Sequence, residues 1–318
     1  MDIFLSILLN SIIPIYILIA LGWILDKAFK MDMNTLIKIN FYLFIPAFLF
    51  VNLLTTDITA NLVGVLALTV LLVAVGYAMG AGVAKLLKMP KKTARVFENT
   101  LMFNNSGTVG VSLIALVYSG RPFVSGGDTQ LLEAALSVQI IVMMAQNLCQ
   151  NTIGVLNSGG DDATIREGLK RVVRLPVLYT IAAALLFKLL PLDLTVSPIW
   201  PALTHLRNGL ISVVLITLGA QLSKTRFDFK AKTPYFTSLL KLIVCPMAAY
   251  VLIKLFGFTG VTAQASFILA STPVAVNTAL LAQECKGDVE FAAQSVFIST
   301  LMSAVTMTIA VYLAYILF

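Results

Sequence analysis

The sequence predicts an all-α polytopic membrane protein. Its ten transmembrane helices form two inverted five-helix repeats, with the fourth and ninth helices broken and crossed. Three observations predict this: an extreme composition, a one-sided distribution of positive charge, and two matched interruptions in apolar runs. The 318 residues are 59% hydrophobic and 12% charged, with a mean hydropathy of +0.94. Soluble domains carry about 25% charge. The net charge of +7 does not point to nucleic acid, because the basic residues sit in short loops between apolar runs, as they do on the cytoplasmic face of a membrane.

A membrane-spanning helix needs about 20 apolar residues. That length predicts spans at 3–25, 36–54, 61–87, 94–119, 130–155, 173–190, 199–222, 234–256, 262–284 and 288–317. Span 61–87 is long enough to tilt. Asp2 precedes the first span and no Lys or Arg occurs before Lys27. A signal peptide needs a basic start, so the first span is expected to be retained. With the N-terminus outside, sixteen Lys and Arg fall in the inner loops, from Lys27 to Lys286. Three, Arg121, Lys188 and Lys254, fall in the outer loops. A miscounted span would scramble this asymmetry, so both termini are expected outside a cell (inner or plasma) membrane.

The most polar stretch, Asn157-Ser158-Gly159-Gly160-Asp161-Asp162, lies at the midpoint. It divides the chain into a first repeat at 1–156, a cytoplasmic linker at 157–172 and a second repeat at 173–318. Five spans per half force the halves to insert in opposite orientations. Pro14-Ile15-Tyr16 in span one is echoed by Pro176-Val177-Leu178-Tyr179 in span six. The interruptions are Phe103-Asn104-Asn105-Ser106-Gly107-Thr108-Val109-Gly110 and Ser271-Thr272-Pro273-Val274-Ala275-Val276-Asn277-Thr278. Each falls in the fourth span of its half.

Lipid cannot solvate a broken backbone, so such breaks persist only inside protein or beside a watery cavity. If spans four and nine cross, their second halves begin near Val111 and Thr278. The N–H groups and positive dipole ends of those halves then face the crossing and favour an anion. Asn105, Thr108, Thr272 and Asn277 would add side-chain donors and acceptors. The plainer alternative is a pair of kinks closed by neighbouring helices.

Gln139, Gln146 and Gln150 fall within about 40° of one another on span five, flanked by Asn147 and Asn151. Ser295, Ser299, Ser303 and Thr306 fall within about 80° on span ten. Polar stripes are costly against lipid, so both are expected to face the interior. They would either bond between helices or line the crossing, with Gln146 and Gln150 the residues of span five nearest it. Lys38, Arg207 and Lys241 lie within about two turns of predicted span ends and are expected to snorkel outward. Glu98 is either a cation or proton site or a surface partner of Arg95. The lone His205 is expected at the interface. Cys149, Cys245 and Cys285 have no metal spacing and read as small apolar fillers. No Ser-His-Asp set, metal motif or phosphate-binding glycine loop appears, so no cofactor is expected, and an enzyme is excluded by the lack of paired reactive groups at depth.

The motif Asn105-Ser106-Gly107-Thr108-Val109-Gly110-Val111-Ser112-Leu113 resembles the fourth-span motif of the auxin efflux carrier family, which includes the plant PIN proteins and bacterial relatives. In that motif Asn is followed five residues later by Gly-Ile-Pro-Leu. Asn105 and Gly110 match, and Ser112 replaces the proline. Pro14-Ile15-Tyr16, Asn40-Phe41 with Pro46, Leu218-Gly219, and Lys241 with Pro246 resemble further family motifs. Pro273 matches the ninth-span crossover proline, and Thr278 replaces a second one. The long central loop of plant members is absent.

The resemblance implies a secondary transporter of small organic anions, an auxin-like or malonate-like mono- or dicarboxylate. It implies an elevator-type alternating-access motion, with spans 1, 2, 6 and 7 as scaffold and spans 3–5 and 8–10 as the moving transport domain. It also implies a homodimer joined through the scaffold. Asn105 would contact substrate. Thr108, Gly110, Gln146, Gln150, Thr272, Pro273, Asn277 and Thr278 complete the candidate site. The rival is a sodium-coupled transporter of the bile-acid or sodium/proton antiporter type, which shares the crossed-helix layout.

Overall fold

A computed structural model of the chain describes residues 3–55, 61–120, 123, 130–159, 166, 170, 172–190, 193–225, 228 and 230–318. Arg121, Gly160, Asp161, Asp162, Arg171, Arg226 and most of the predicted linker lie outside these residues. The described residues are almost entirely helical. We label the helices α1 (Ile3–Phe29), α2 (Met33–Thr55), α3 (Asn61–Leu86), α4a (Lys91–Met102), α4b (Ser106–Val117) and α5 (Gln130–Gly159). They continue as α6 (Pro176–Leu189), α7 (Ile199–Ser223), α8 (Lys232–Leu255), α9a (Gly260–Ala270), α9b (Asn277–Glu284) and α10 (Val289–Leu317). Among the described residues, seven of these are long and apolar enough to cross a membrane: α1, α2, α3, α5, α7, α8 and α10. The other predicted spans are shorter helices. α6 has 14 residues, and the fourth and ninth runs are each split in two.

The helices start and bend where the sequence gives them reason to. Asp32 caps α2, accepting from the backbone N–H of Asn34 and Thr35 at 3.3 and 3.2 Å. Asp288 caps α10, accepting from Phe291 N–H at 3.1 Å, and Pro176 opens α6 at a position where its missing N–H costs nothing. Leu8–Ile12, Asn40–Phe44 and Leu240–Val244 are wide π-helical turns. Pro14, Pro46 and Pro246 each follow one of them by two residues. A proline inside a helix removes one N–H and crowds the preceding turn, and widening that turn relieves the clash without ending the helix.

α1 packs along α7, and α2 packs on both α6 and α7. The α1–α7 contact is backbone on backbone. A Cβ on Gly22 would stand 2.0 Å from the Ile216 carbonyl oxygen, and one on Gly219 would stand 1.9 Å from that of Ile19. Small residues permit such approach, and in lipid this packing is itself the driving force for association. A second set of contacts joins α3 to α4a and α5, α9a to α5, α8 and α10, and α8 and α9b to α10. Tyr16 of α1 reaches across to α10, where its hydroxyl donates to the Thr300 carbonyl at 2.6 Å and lies 2.8 Å from the Ser303 hydroxyl.

The polar stripes face inward. Gln139, Gln146, Gln150, Ser295, Ser299 and Ser303 are all buried. Lys38 and His205 are exposed. Lys241 does not snorkel: it is fully buried, because the face of α8 that carries it is covered by α4a rather than by lipid. Glu98 shares an open polar hollow with Lys91, Arg95 and Asn157, away from the breaks.

Candidate functional site

The two breaks meet. Asn104 and Val274 form an antiparallel bridge. Asn105 N–H donates to the Pro273 carbonyl at 2.8 Å, and Ala275 N–H donates to the Phe103 carbonyl at 3.1 Å. The backbone groups freed by each break are thus paired by the other, which is how an interrupted helix is tolerated away from water. The first break is shorter than its motif suggests, spanning Phe103 to Asn105. Ser106–Gly110 is already helical, as a wide turn. The second half therefore begins near Ser106 rather than Val111, because the Asn105 side-chain oxygen accepts from Val109 N–H at 3.4 Å and caps the turn.

Both second halves direct their N-termini at one cavity of about 110 Å³. Gly107 and Thr108 of α4b and Val276 and Asn277 at the start of α9b line it. Met143 and Asn147 of α5 form another wall, and α2, α6 and α7 close it with Asn40, Val177, Thr217 and Gln221 among others. Asn40 Nδ2 donates to the Thr217 hydroxyl at 2.8 Å. No charged side chain lines the cavity among the described residues. The positive field there comes from helix ends and amides. A larger cavity of about 670 Å³ adjoins it, sharing Ile37, Gln221, Val276 and Leu280, and reaches Lys224 and Glu290.

Of the candidate residues, Thr108 and Asn277 line the cavity. Asn277 Nδ2 also donates to Gln150 Oε1 at 3.4 Å. Asn105 sits behind the wall. It is buried, and its Nδ2 has no hydrogen-bond partner among the described residues. Gln146 Oε1 accepts from Asn104 N–H at 3.3 Å, so it braces the break from the far side. Gly110 is a packing position: a Cβ there would meet Leu269 Cδ2 at 2.9 Å and Gln139 Oε1 at 3.3 Å. Pro273 contributes its carbonyl. Thr272 and Thr278 turn away from the cavity, their hydroxyls donating to Leu269 and Ala275 carbonyls at 2.8 and 2.7 Å. Both are local helix-end bonds.

The sequence reading did not assign Asn147, Thr217 and Gln221 to the site, and knew Asn40 only from a motif. Val214, Thr217 and Gln221 follow the three- and four-residue spacing of one helical face, so a polar pair at that spacing in span seven was available as a signal. Each buried Gln of α5 bonds at or beside a break: Gln139 Nε2 donates to the Ser106 carbonyl at the start of α4b at 2.6 Å, Gln146 accepts from Asn104 in the first break, and Gln150 accepts from Asn277 at the start of α9b. The stripe ties the two breaks to one helix.

The sequence pattern described as membrane transport protein matches residues 7–167 and 162–311. An uncharacterized transporter of Methanothermobacter thermautotrophicus is 23% identical over 310 residues, covering 94% of this chain and 95% of the relative. An uncharacterized transporter of Methanocaldococcus jannaschii is 26% identical over 174 residues, 54% of this chain and 56% of the relative.

Proposed function

The chain belongs to the membrane transport protein family of the auxin efflux carriers, and on that premise we propose that it carries a small carboxylate across a cell membrane by moving the crossed helices against a fixed frame. It is a transporter and not an enzyme. The observation that carries the reading is the convergence of two half-helix N-termini on one cavity that holds no fixed charge. Each such end favours an anion, by about 0.3–1 kcal/mol when exposed and up to about 2 when partly buried. Thr108 and Asn277 would bond the carboxylate. Asn105 would hold the α4b end in position and offer its spare amide hydrogens. A cavity of about 110 Å³ favours a short, malonate-like acid over an indole acid, since drug-sized ligands occupy about 300 Å³ or more.

In this reading the chain spans the membrane ten times as two inverted repeats, with both termini outside. α1, α2, α6 and α7 form the scaffold of an elevator, and α3–α5 with α8–α10 form its car. The cavity lies between them, drawing one wall from each, as alternating access requires. The adjoining larger cavity reaches Lys224, on the side that the charge distribution marks as cytoplasmic. That supports an inward-open state. A homodimer would form through the scaffold, whose open apolar groove is lined by Tyr42, Phe50, Tyr179 and Phe187.

The test is uptake of labelled malonate and a panel of mono- and dicarboxylates into proteoliposomes. Asn105→Ala and Thr108→Val are expected to abolish or sharply reduce transport while eluting as folded protein. Full activity in both would remove the break from the substrate site.

A further inference from the structure

The two cavities meet at a ring. Ile37, Gln221, Val276 and Leu280 line both of them, so these four residues bound the opening between the space of about 670 Å³ and the space of about 110 Å³. Ile37 and Gln221 come from α2 and α7, in the proposed scaffold. Val276 and Leu280 come from the start of α9b, in the proposed car. An acid that takes this route passes the ring without a full shell of water. Stripping a carboxylate at a wholly apolar constriction is costly, and such constrictions block passage by drying. Three members of the ring are apolar. Gln221 is the polar one, and its amide offers two N–H donors.

Gln221 is also the middle of a series. Thr217, Gln221 and Lys224 follow one another at four and three residues, so they share one helical face at steps of about 6 and 4.5 Å. Thr217 lines only the small cavity of the two, Gln221 lines both, and Lys224 lines only the large one. Lys224 is held at that wall. Its Nζ lies 3.3 Å from Asp26 Oδ1 and donates to the Met31 carbonyl at 2.8 Å. At the inner end the Thr217 hydroxyl donates to the Val213 carbonyl at 2.7 Å and accepts from Asn40 Nδ2. A second amide hydrogen remains on Asn40 at that level.

We propose that this face of α7 is the path of the carried anion between the two cavities, and that Gln221 bonds the carboxylate at the ring. A charge at the wide end, an amide at the constriction and a second amide inside hand the anion inward or outward in steps of about one helical turn. This role rests on the carboxylate reading above. It concerns the rate of passage, because the resting place of the anion lies inward of the ring.

The experiment separates binding from passage. Purified wild type, Gln221→Met and Gln221→Asn are melted in a malonate titration, and the same proteins are assayed for initial uptake of labelled malonate into proteoliposomes. Gln221→Met keeps the length of the side chain and removes the amide. Its half-saturating malonate in the melt is expected to stay within about twofold of wild type, while its maximal uptake is expected to fall about tenfold or more. Gln221→Asn keeps an amide and is expected to keep most of the uptake. Lys224→Gln is expected to slow uptake more at low salt than at high salt, because a half-exposed charge acts by steering that salt screens. Wild-type uptake by Gln221→Met would overturn the proposal. So would a Gln221→Asn as slow as Gln221→Met, or a loss of malonate binding in step with uptake, which would make Gln221 part of the resting site. If Gln221→Met does not purify as folded protein, Gln221→Leu takes the same comparison. Wild type that neither binds nor carries malonate or any acid of the panel would overturn the carboxylate reading itself, and that outcome needs no variant to be seen.

Discussion

The break in α4 and the break in α9 occupy matching positions and solve the same problem by different means. The first is opened and held by side chains. Asn105 caps α4b, Asn104 reaches the end of α9a, Lys241 closes α4a, and no proline is present. The second is opened by Pro273 and runs longer, from Ser271 to Val276. No side chain caps α9b, and the threonines on either side close their own turns. The α9 break is thus mostly backbone, and the α4 break carries most of the bonding chemistry. The cavity of about 110 Å³ is lined from both second halves alike, and the opposite ends differ: the α4a end meets a charge and the α9a end a neutral amide.

The largest effect expected is from Gly110→Leu. The added side chain would be driven into Leu269, where α4b packs on α9a. Overpacking of this kind costs about 1–3 kcal/mol and at times more, and loss of the monodisperse peak in size-exclusion chromatography is the expected result. Next is Asn105→Asp. It keeps an oxygen to cap α4b and suits the helix end, so the melting temperature is expected to hold. Its charge would oppose an arriving carboxylate, and transport is expected to fall about a hundredfold. Equal transport by the Asp variant would mean that Asn105 is a cap alone. Asn277→Ala is milder, because Asn277 caps nothing. We expect an apparent affinity about tenfold weaker, the loss of about 1.4 kcal/mol of hydrogen bonding, with no change in melting. Smallest is Pro273→Ala. The carbonyl that receives Asn105 N–H remains, and the cost is expected to be about 0.4–1 kcal/mol through the unfolded chain. If this substitution instead closed α9 into one continuous helix and ended transport, the α9 break would depend on its proline and not on the backbone bridge.

The position of each break could be read directly, because Asn-Asn-Ser-Gly and Ser-Thr-Pro interrupt runs that are otherwise apolar. The bonds that join them could not. Phe103 with Ala275 and Asn105 with Pro273 pair through main-chain atoms, which every residue has, so no residue type announces the contact. The inward faces of α5 and α10 were legible because glutamines and serines recur at helical spacing. The wall supplied by α2 and α7 was not: Asn40 and Gln221 are single polar residues whose meaning depends on what lies opposite. Lys241 shows the same limit. Its distance from a span end suggested an escape to water, but whether lipid or another helix covers that face is a tertiary fact. Lys38 and His205, by contrast, are exposed.

The wide turns ahead of Pro14, Pro46 and Pro246 have one more effect. Each inserts a residue into the helical count, which turns everything downstream by about 100° relative to an uninterrupted spiral. A helical wheel drawn through α1, α2 or α8 therefore loses phase partway along. Deleting one residue within Leu240–Val244 would restore a regular pitch and swing the earlier part of α8 out of register with its neighbours. These helices keep time by a clock that is reset mid-span, and any alignment that moves a gap across those prolines rotates half a helix with it.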